Sequence, residues 1–241
     1  MSHQGLAWEK EYRDPLLVTK NDGPQADTLR FLKFLKKVAL PATRRDGGDE
    51  FKFSLEDKKI LDLGCGTGRN SNYLADLGNK VIGLEISKTA LSLAKERARE
   101  MGLSVDYRLA DIGQPYDIED NSIDLVLDVT SSNSLNDQGR EIYLKEVVRV
   151  MKSNGYFFVR ALAKDGNQNV KNLLKTSPGR EYDTYVIKEI GLTERVFSRA
   201  DFIQMYSQYF QILKLDKKTS YTTFNHRIYK RDYWLAYLTK L

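Results

Sequence analysis

Between Thr28 and Leu40 the apolar residues Leu29, Leu32, Phe34, Leu35, Val38 and Ala39 recur at helical spacing, and Pro41 ends the run. Ahead of it, residues 1–27 mix Trp8 and Tyr12 with the breakers Asp14-Pro15 and Asn21-Asp22-Gly23-Pro24, predicting an irregular or partly helical leader with turns. The polar stretch Thr43 to Asp49 predicts a mobile linker. Beyond it an alternation begins. Short apolar runs at Lys59–Leu63, Lys80–Leu84, Ser104–Leu109, Ile123–Leu127 and Tyr156–Val159 read as strands. Between them the spacing predicts helices over Arg69–Leu77, Ser87–Met101 and Arg140–Met151, with Ser153-Asn154-Gly155 as a turn.

Past Leu162 the pattern changes. Lys164 to Ser198 is polar, broken by Gly166, Pro178, Gly179 and Gly191, and has no steady apolar period. A helix follows from Arg199 to about Tyr209, with Ser198 as its N-cap. Phe210–Leu215 and Tyr229–Leu238 then predict two antiparallel strands at a sheet edge. The expected fold is α/β: a doubly wound, mainly parallel seven-stranded sheet with helices on both faces and an antiparallel edge hairpin. The expected division is a leader, first helix and linker over 1–54 and a core over 55–241, with 164–198 inserted in it.

Composition adds little. In 241 residues the net charge is +5, which permits an acidic partner without requiring one. Met1 to Gly5 opens without an apolar stretch, and no apolar run approaches the ~20 residues of a membrane span. The single Cys65 forms no internal disulfide, so the expected address is the cytoplasm.

The first predicted strand runs into Asp62-Leu63-Gly64-Cys65-Gly66-Thr67-Gly68. Glycines after a strand let a ligand approach the backbone closely. Their spacing is G-x-G-x-G, whereas a dinucleotide site has G-x-G-x-x-G, whose third glycine would fall at Arg69. Asp62 opposes a pyrophosphate and favours a cation. Two further acids follow strands: Glu85 after the second and Asp111 after the third. A carboxylate in the place of Glu85 can accept hydrogen bonds from both hydroxyls of a ribose. Each acid alone reads as a solvated loop residue; their conjunction with the glycines points to one site.

Ile60 to Gly68 resembles motif I of the class I S-adenosylmethionine-dependent methyltransferases, and the order of elements after it resembles the same family. The resemblance implies S-adenosylmethionine as cofactor, S-adenosylhomocysteine as product, and no metal. It implies that Gly64, Gly66 and Gly68, with Cys65, Thr67 and Asn70, surround the methionine part, with Asp62 near its amino group. Glu85 would hold the ribose, Asp111 the adenine amino group, and Ile86 and Ile112 the faces of the base. Asp128 and Thr130, after the fourth strand, would lie beside the departing methyl group.

Small-molecule members often carry a histidine near Ser134, and this chain does not. Candidate bases are therefore Asp128, Tyr12, Tyr182 and His226, in that order. Trp8 and Tyr12, four residues apart, share a helix face and resemble a lid over the cofactor. Arg160, Arg180, Tyr182 and Tyr185 are the candidate acceptor contacts, with 164–198 as a substrate cap. The expected activity is methyl transfer to a small molecule. A second reading is an RNA or protein methyltransferase, because Gln211 to Leu241 is basic and interleaved with Tyr221, Phe224, Tyr229 and Tyr233. A third is a non-catalytic module that binds the cofactor. Oligomeric state is left open.

Overall fold

The computed structural model describes residues 2–17, 22–38, 55–225 and 227–241. The linker 43–49 and His226 lie outside the described residues, as do Asn21 and the end of the first predicted helix at 39–40.

Five parallel strands form the centre: β1 (Lys59–Leu63), β2 (Lys80–Glu85), β3 (Asp106–Leu109), β4 (Ile123–Val129) and β5 (Met151–Leu162). The antiparallel pair β8 (Phe210–Phe224) and β9 (Arg227–Lys240) completes a seven-stranded sheet of order β3-β2-β1-β4-β5-β9-β8. The order reverses between β1 and β4, so their carboxyl ends open a crevice where ligands of doubly wound sheets bind.

Both faces are covered, which is why the central strands are apolar throughout. Leu61 and Leu63 point to one face, where they join Tyr143 and Val147 of α5 (Asp137–Val150) and Phe202 of α7 (Arg199–Tyr206). Ile60, Leu125 and Leu127 point to the other, against Phe31, Leu32 and Leu35 of α2 (Ala26–Val38) and Leu74 of α3 (Arg69–Asp76). Helix α4 (Lys88–Glu100) packs Leu91, Ala94 and Ala98 on Tyr107 of β3, and the Ser87 side chain caps it by accepting from Ala90 N–H.

The leader is partly helical, as the pattern predicts: α1 (His3–Arg13), started by Ser2, is followed by bends at 14, 16 and 17. Three elements differ from the pattern's expectation. Ser153 to Gly155 is not a turn but part of a bulge in β5, where the register jumps from Ile123↔Met151 to Leu125↔Tyr156. The 164–198 segment holds helix α6 (Gln168–Thr176), capped by Asn167, and a hairpin of β6 (Thr184–Ile187) and β7 (Leu192–Arg195). Strands β8 and β9 are far longer than their apolar stretches and pair without a break from Lys214↔Tyr237 to Phe224↔Arg227. No described helix is long and apolar enough to cross a membrane.

Glu9 fastens the leader. Its carboxylate accepts from Ser87 Oγ at 2.7 Å, Thr89 Oγ1 at 2.7 Å and Thr89 N at 3.2 Å, across the start of α4. Burial by itself would raise its pKa, but these donors, with Arg13 nearby, bring it down to about 2. The sign follows from linkage: a carboxyl held below its unfolded value of 4.5 stabilises the fold above that pH. That contribution is lost as pH falls towards about 2. The stability gap between the native chain and Glu9→Gln, measured by denaturant unfolding, should therefore be full at pH 6 and shrink steadily below pH 4.5. A gap that stays constant with pH would contradict the assignment.

Candidate functional site

At the carboxyl ends of β1, β2 and β4 lies a cavity of about 660 Å³, within the usual range for a small-molecule site. Its floor is the loop from Gly64 to Thr67, followed by Arg69 and Asn70 at the start of α3. Gly64, Gly66 and Gly68 have φ of 65°, 57° and 79°. A Cβ on Gly64 would lie 2.3 Å from Ser131 Cβ, and one on Gly66 would lie 2.6 Å from the Tyr12 hydroxyl. Glycine is thus required there by backbone angle and by space.

Glu85 ties the loop to β2. One carboxylate oxygen accepts Gly66 N–H at 2.9 Å, and the other accepts Ile86 N–H and Ser87 N–H, each at 2.9 Å. Burial pushes its carboxyl up, opposed by these three donors. Asp111 takes Gly113 N–H at 2.9 Å and lines the same wall, with Ile86 and Ile112 beside it. Cys65 and Thr67 line the floor; burial raises the Cys65 thiol well above its ordinary value, which suits packing rather than reaction. Thr67 is held by Arg97 Nη1, at 2.6 Å from its hydroxyl, and Asn70 accepts Gln25 N–H at 2.9 Å.

Three expected cofactor residues stand behind the wall rather than in it. Gly68 starts α3, and a Cβ there would meet the Tyr107 hydroxyl at 2.2 Å, so its freedom serves packing. Asp62 is 2% exposed and accepts Ser71 Oγ at 2.6 Å. Asp128 is fully buried, and its carboxylate holds Ser131 N–H at 2.9 Å, Ser132 N–H at 3.2 Å and the Tyr143 hydroxyl at 2.6 Å. Neither acid lines the cavity, so Asp128 sits where it positions the loop after β4 rather than where it would touch an acceptor. Thr130 does line it, with φ of 67°, a strained angle for a β-branched residue, held by Thr130 N–H to Arg160 O at 2.9 Å.

Burial pushes the Asp62 carboxyl up to about 6; Ser71 and Arg69 oppose the rise and Asp128 adds to it. Such a group binds its proton more tightly in the folded chain. The resulting stabilisation is complete below the unfolded value of 3.8 and lost as pH rises through about 6. In thermal unfolding, the native chain should therefore lose ground to Asp62→Asn between pH 4 and pH 6.5, by at most about 3 kcal/mol. A difference independent of pH would show that Asp62 does not titrate there.

The roof comes from both ends of the sequence. From α1, Trp8 donates its indole N–H to Ser134 Oγ at 3.3 Å, and Tyr12 lies over the loop, its ring 6.1 Å from that of Trp8. From the far end of the β8–β9 hairpin come Ser220 to Thr223, Arg231 and Tyr233. Burial and the neighbouring Glu85 and Cys65 raise the Tyr12 hydroxyl well above its usual value, which favours its protonated form.

Of the other candidates, Arg160 reaches the cavity. It lies flat on the Tyr233 ring, 3.4 Å from its centre, and donates from Nε to Asp27 at 3.1 Å. Arg180 and Tyr182 are exposed and away from it. Tyr185 is buried, donating its hydroxyl to Glu194 at 2.6 Å. Sequence reasoning missed Arg69, Ser131, Ser134 and the hairpin's share of the roof. Arg69 alone left a signal, as the first residue after the third glycine.

The basic C-terminal part is only partly neutralised: Arg227 and Lys230 are exposed, whereas other cations of the segment have partners. Lys218 pairs with Asp27, Arg231 with Glu194 and Lys214 with Asp216, and Lys240 is bonded to Asn121 and Met151 O. Tyr233 is buried under Arg160. Among the described residues no group of three His, Cys, Asp or Glu is placed to hold a metal.

Residues 61–159 match the family model described as a methyltransferase domain. A ubiquinone biosynthesis O-methyltransferase of Pelagibacter ubique (strain HTCC1062) is 31% identical over 139 residues, covering 55% of this chain and 54% of that protein. The chain thus spans about half the length of the curated relatives it matches first. A SAM-dependent methyltransferase structure from Methanosarcina mazei has a TM-score of 0.68 at 24% identity, over 77% of this chain and 93% of that one. A structure concerned with conversion of a disulfide bond into a thioacetal group during echinomycin biosynthesis gives a TM-score of 0.69 at 19% identity, over 97% and 90%. These likenesses show the fold.

Proposed function

We propose that the chain is an S-adenosylmethionine-dependent methyltransferase of class I acting on a small-molecule acceptor, a reading supported by the match of residues 61–159 to the family model described as a methyltransferase domain. The observation that carries the reading is the bond from Gly66 N–H to Glu85, which fixes the glycine turn and the ribose-type acid on one cavity wall beside Asp111. That donor set fits the cofactor. The turn has room only where side chains are missing, and the Glu85 oxygen that accepts Gly66 N–H keeps a lone pair for a hydroxyl donor, the other being filled by Ile86 and Ser87 N–H. The relatives named ubiquinone biosynthesis O-methyltransferases support a small acceptor with an oxygen nucleophile.

When bound, the cofactor supplies an electrophilic methyl group on a sulfonium that leaves without needing a proton. Glu85 would accept from a ribose hydroxyl, and Asp111 from the adenine amino group between Ile86 and Ile112. Gly64 to Thr67 would surround the methionine part. We extend the proposal to the leader as a lid: Trp8 and Tyr12 would cover the loop and exclude water, with 164–198 supporting it through Gln4 and Thr193. The chain's contribution to rate is then alignment of the acceptor with the methyl group, worth up to about 7–11 kcal/mol.

Calorimetry with S-adenosylhomocysteine tests the cofactor, and absence of binding would sink the reading. A metabolite pool incubated with methyl-labelled donor tests the activity. Binding without any transfer would favour a cofactor-sensing module instead.

A further inference from the structure

The cavity is electrically two-sided. Glu85 and Asp111 stand on the wall assigned above to adenosine, whereas Arg69 and Arg160 stand at the start of α3 and near the end of β5. Asp27 is the single carboxylate serving Arg160, and it also serves Lys218, so one of those two positive charges is left uncompensated. Arg160 is 8% exposed, and among the described residues only its Nε is hydrogen-bonded, leaving both Nη groups without a partner. Arg69 lines the same cavity and makes no ion pair or hydrogen bond among the described residues; burial and Arg160 nearby disfavour its charge, which Asp62 behind the wall only partly supports. Two adjacent, partly desolvated guanidiniums are costly unless an anion joins them. Arg231, the third cation of the wall, is already neutralised by Glu194.

Resting on the methyltransferase reading, we propose that the acceptor carries a carboxylate-type anionic group, received between Arg69 and Arg160. A guanidinium offers paired N–H donors that match two carboxylate oxygens. The Tyr233 ring under Arg160 fixes the plane of that fork. The anion would thus be held on the side of the cavity away from Asp111, orienting the rest of the acceptor across it.

The same chemistry could come from the cofactor's own carboxylate, and the experiment separates the two. Protein saturated with S-adenosylhomocysteine is titrated with 4-hydroxybenzoate and with its neutral match, 4-hydroxybenzamide. The carboxylate is expected to bind at least about tenfold tighter. That preference should fall below about threefold in Arg69→Gln and in Arg160→Gln, with circular dichroism confirming that each variant is folded. Arg69→Gln, which leaves the Asp27 pair intact, remains informative if Arg160→Gln does not fold. No preference in the native chain would overturn the proposal. So would an Arg69→Gln variant that loses affinity for S-adenosylhomocysteine but not for 5′-methylthioadenosine, because the pair would then hold the cofactor's carboxylate. If S-adenosylhomocysteine does not bind at all, the cofactor reading fails by itself. The same titration on ligand-free protein then decides the cation pair, a preference supporting it and its absence overturning it.

Discussion

Gly66→Arg is expected to lower affinity for S-adenosylhomocysteine more than about 100-fold, a loss of about 2.7 kcal/mol, while leaving the chain folded. The backbone at Gly66 has φ of 57°, which an L-residue adopts at a cost of about 1–2 kcal/mol. Its Cβ would press on the Tyr12 hydroxyl at 2.6 Å, displacing the residue that roofs the loop. The arginine would then fill the space above the Glu85-bonded turn and bring a third guanidinium close to Arg69. Calorimetry gives the affinity and far-ultraviolet dichroism the fold. Binding within tenfold of the native chain would mean that this loop does not hold the cofactor.

Asp128→Ala is expected to cost about 3–5 kcal/mol, lowering Tm by about 10 °C in differential scanning calorimetry. The carboxylate is fully buried, and removing it leaves the Tyr143 hydroxyl and the Ser131 and Ser132 amides without an acceptor. Buried donors left unpaired cost more than the bond they made. Asp128→Asn keeps one acceptor oxygen and should recover a large part of the loss. A stable Asp128→Ala chain that binds S-adenosylhomocysteine normally but transfers no methyl group would return this residue to the chemistry.

The two variants also show where the sequence could be read and where it could not. Strands β1, β2 and β4 were legible because both sheet faces are covered and their apolar runs are unbroken. Glu85 and Asp111 were legible because one ends β2 and the other stands two residues past β3, so local order placed them at the sheet's carboxyl edge. Asp128 has the same position on β4, yet its side chain is consumed by Tyr143, a partner on α5 that no local pattern reveals. Strand β8 hides for another reason: beyond Leu215 it is polar and largely exposed, and it is held by its ladder to β9 rather than by an apolar face. The β6–β7 hairpin is only four residues a side, and its order depends on distant contacts such as Glu194 with Arg231. Glu9 leaves no local signal, since its partners Ser87 and Thr89 stand 78 and 80 residues away.

The roof of the cavity has a consequence for biosynthesis. Trp8 and Tyr12 are translated about 200 residues ahead of Thr223, Arg231 and Tyr233, and Asp27 waits for Lys218, 191 positions later. On a ribosome, the chamber has its floor, one wall and the leader's half of its ceiling long before the hairpin's half. A ligand of this cavity therefore meets the complete chamber only after the closing hairpin has left the exit tunnel.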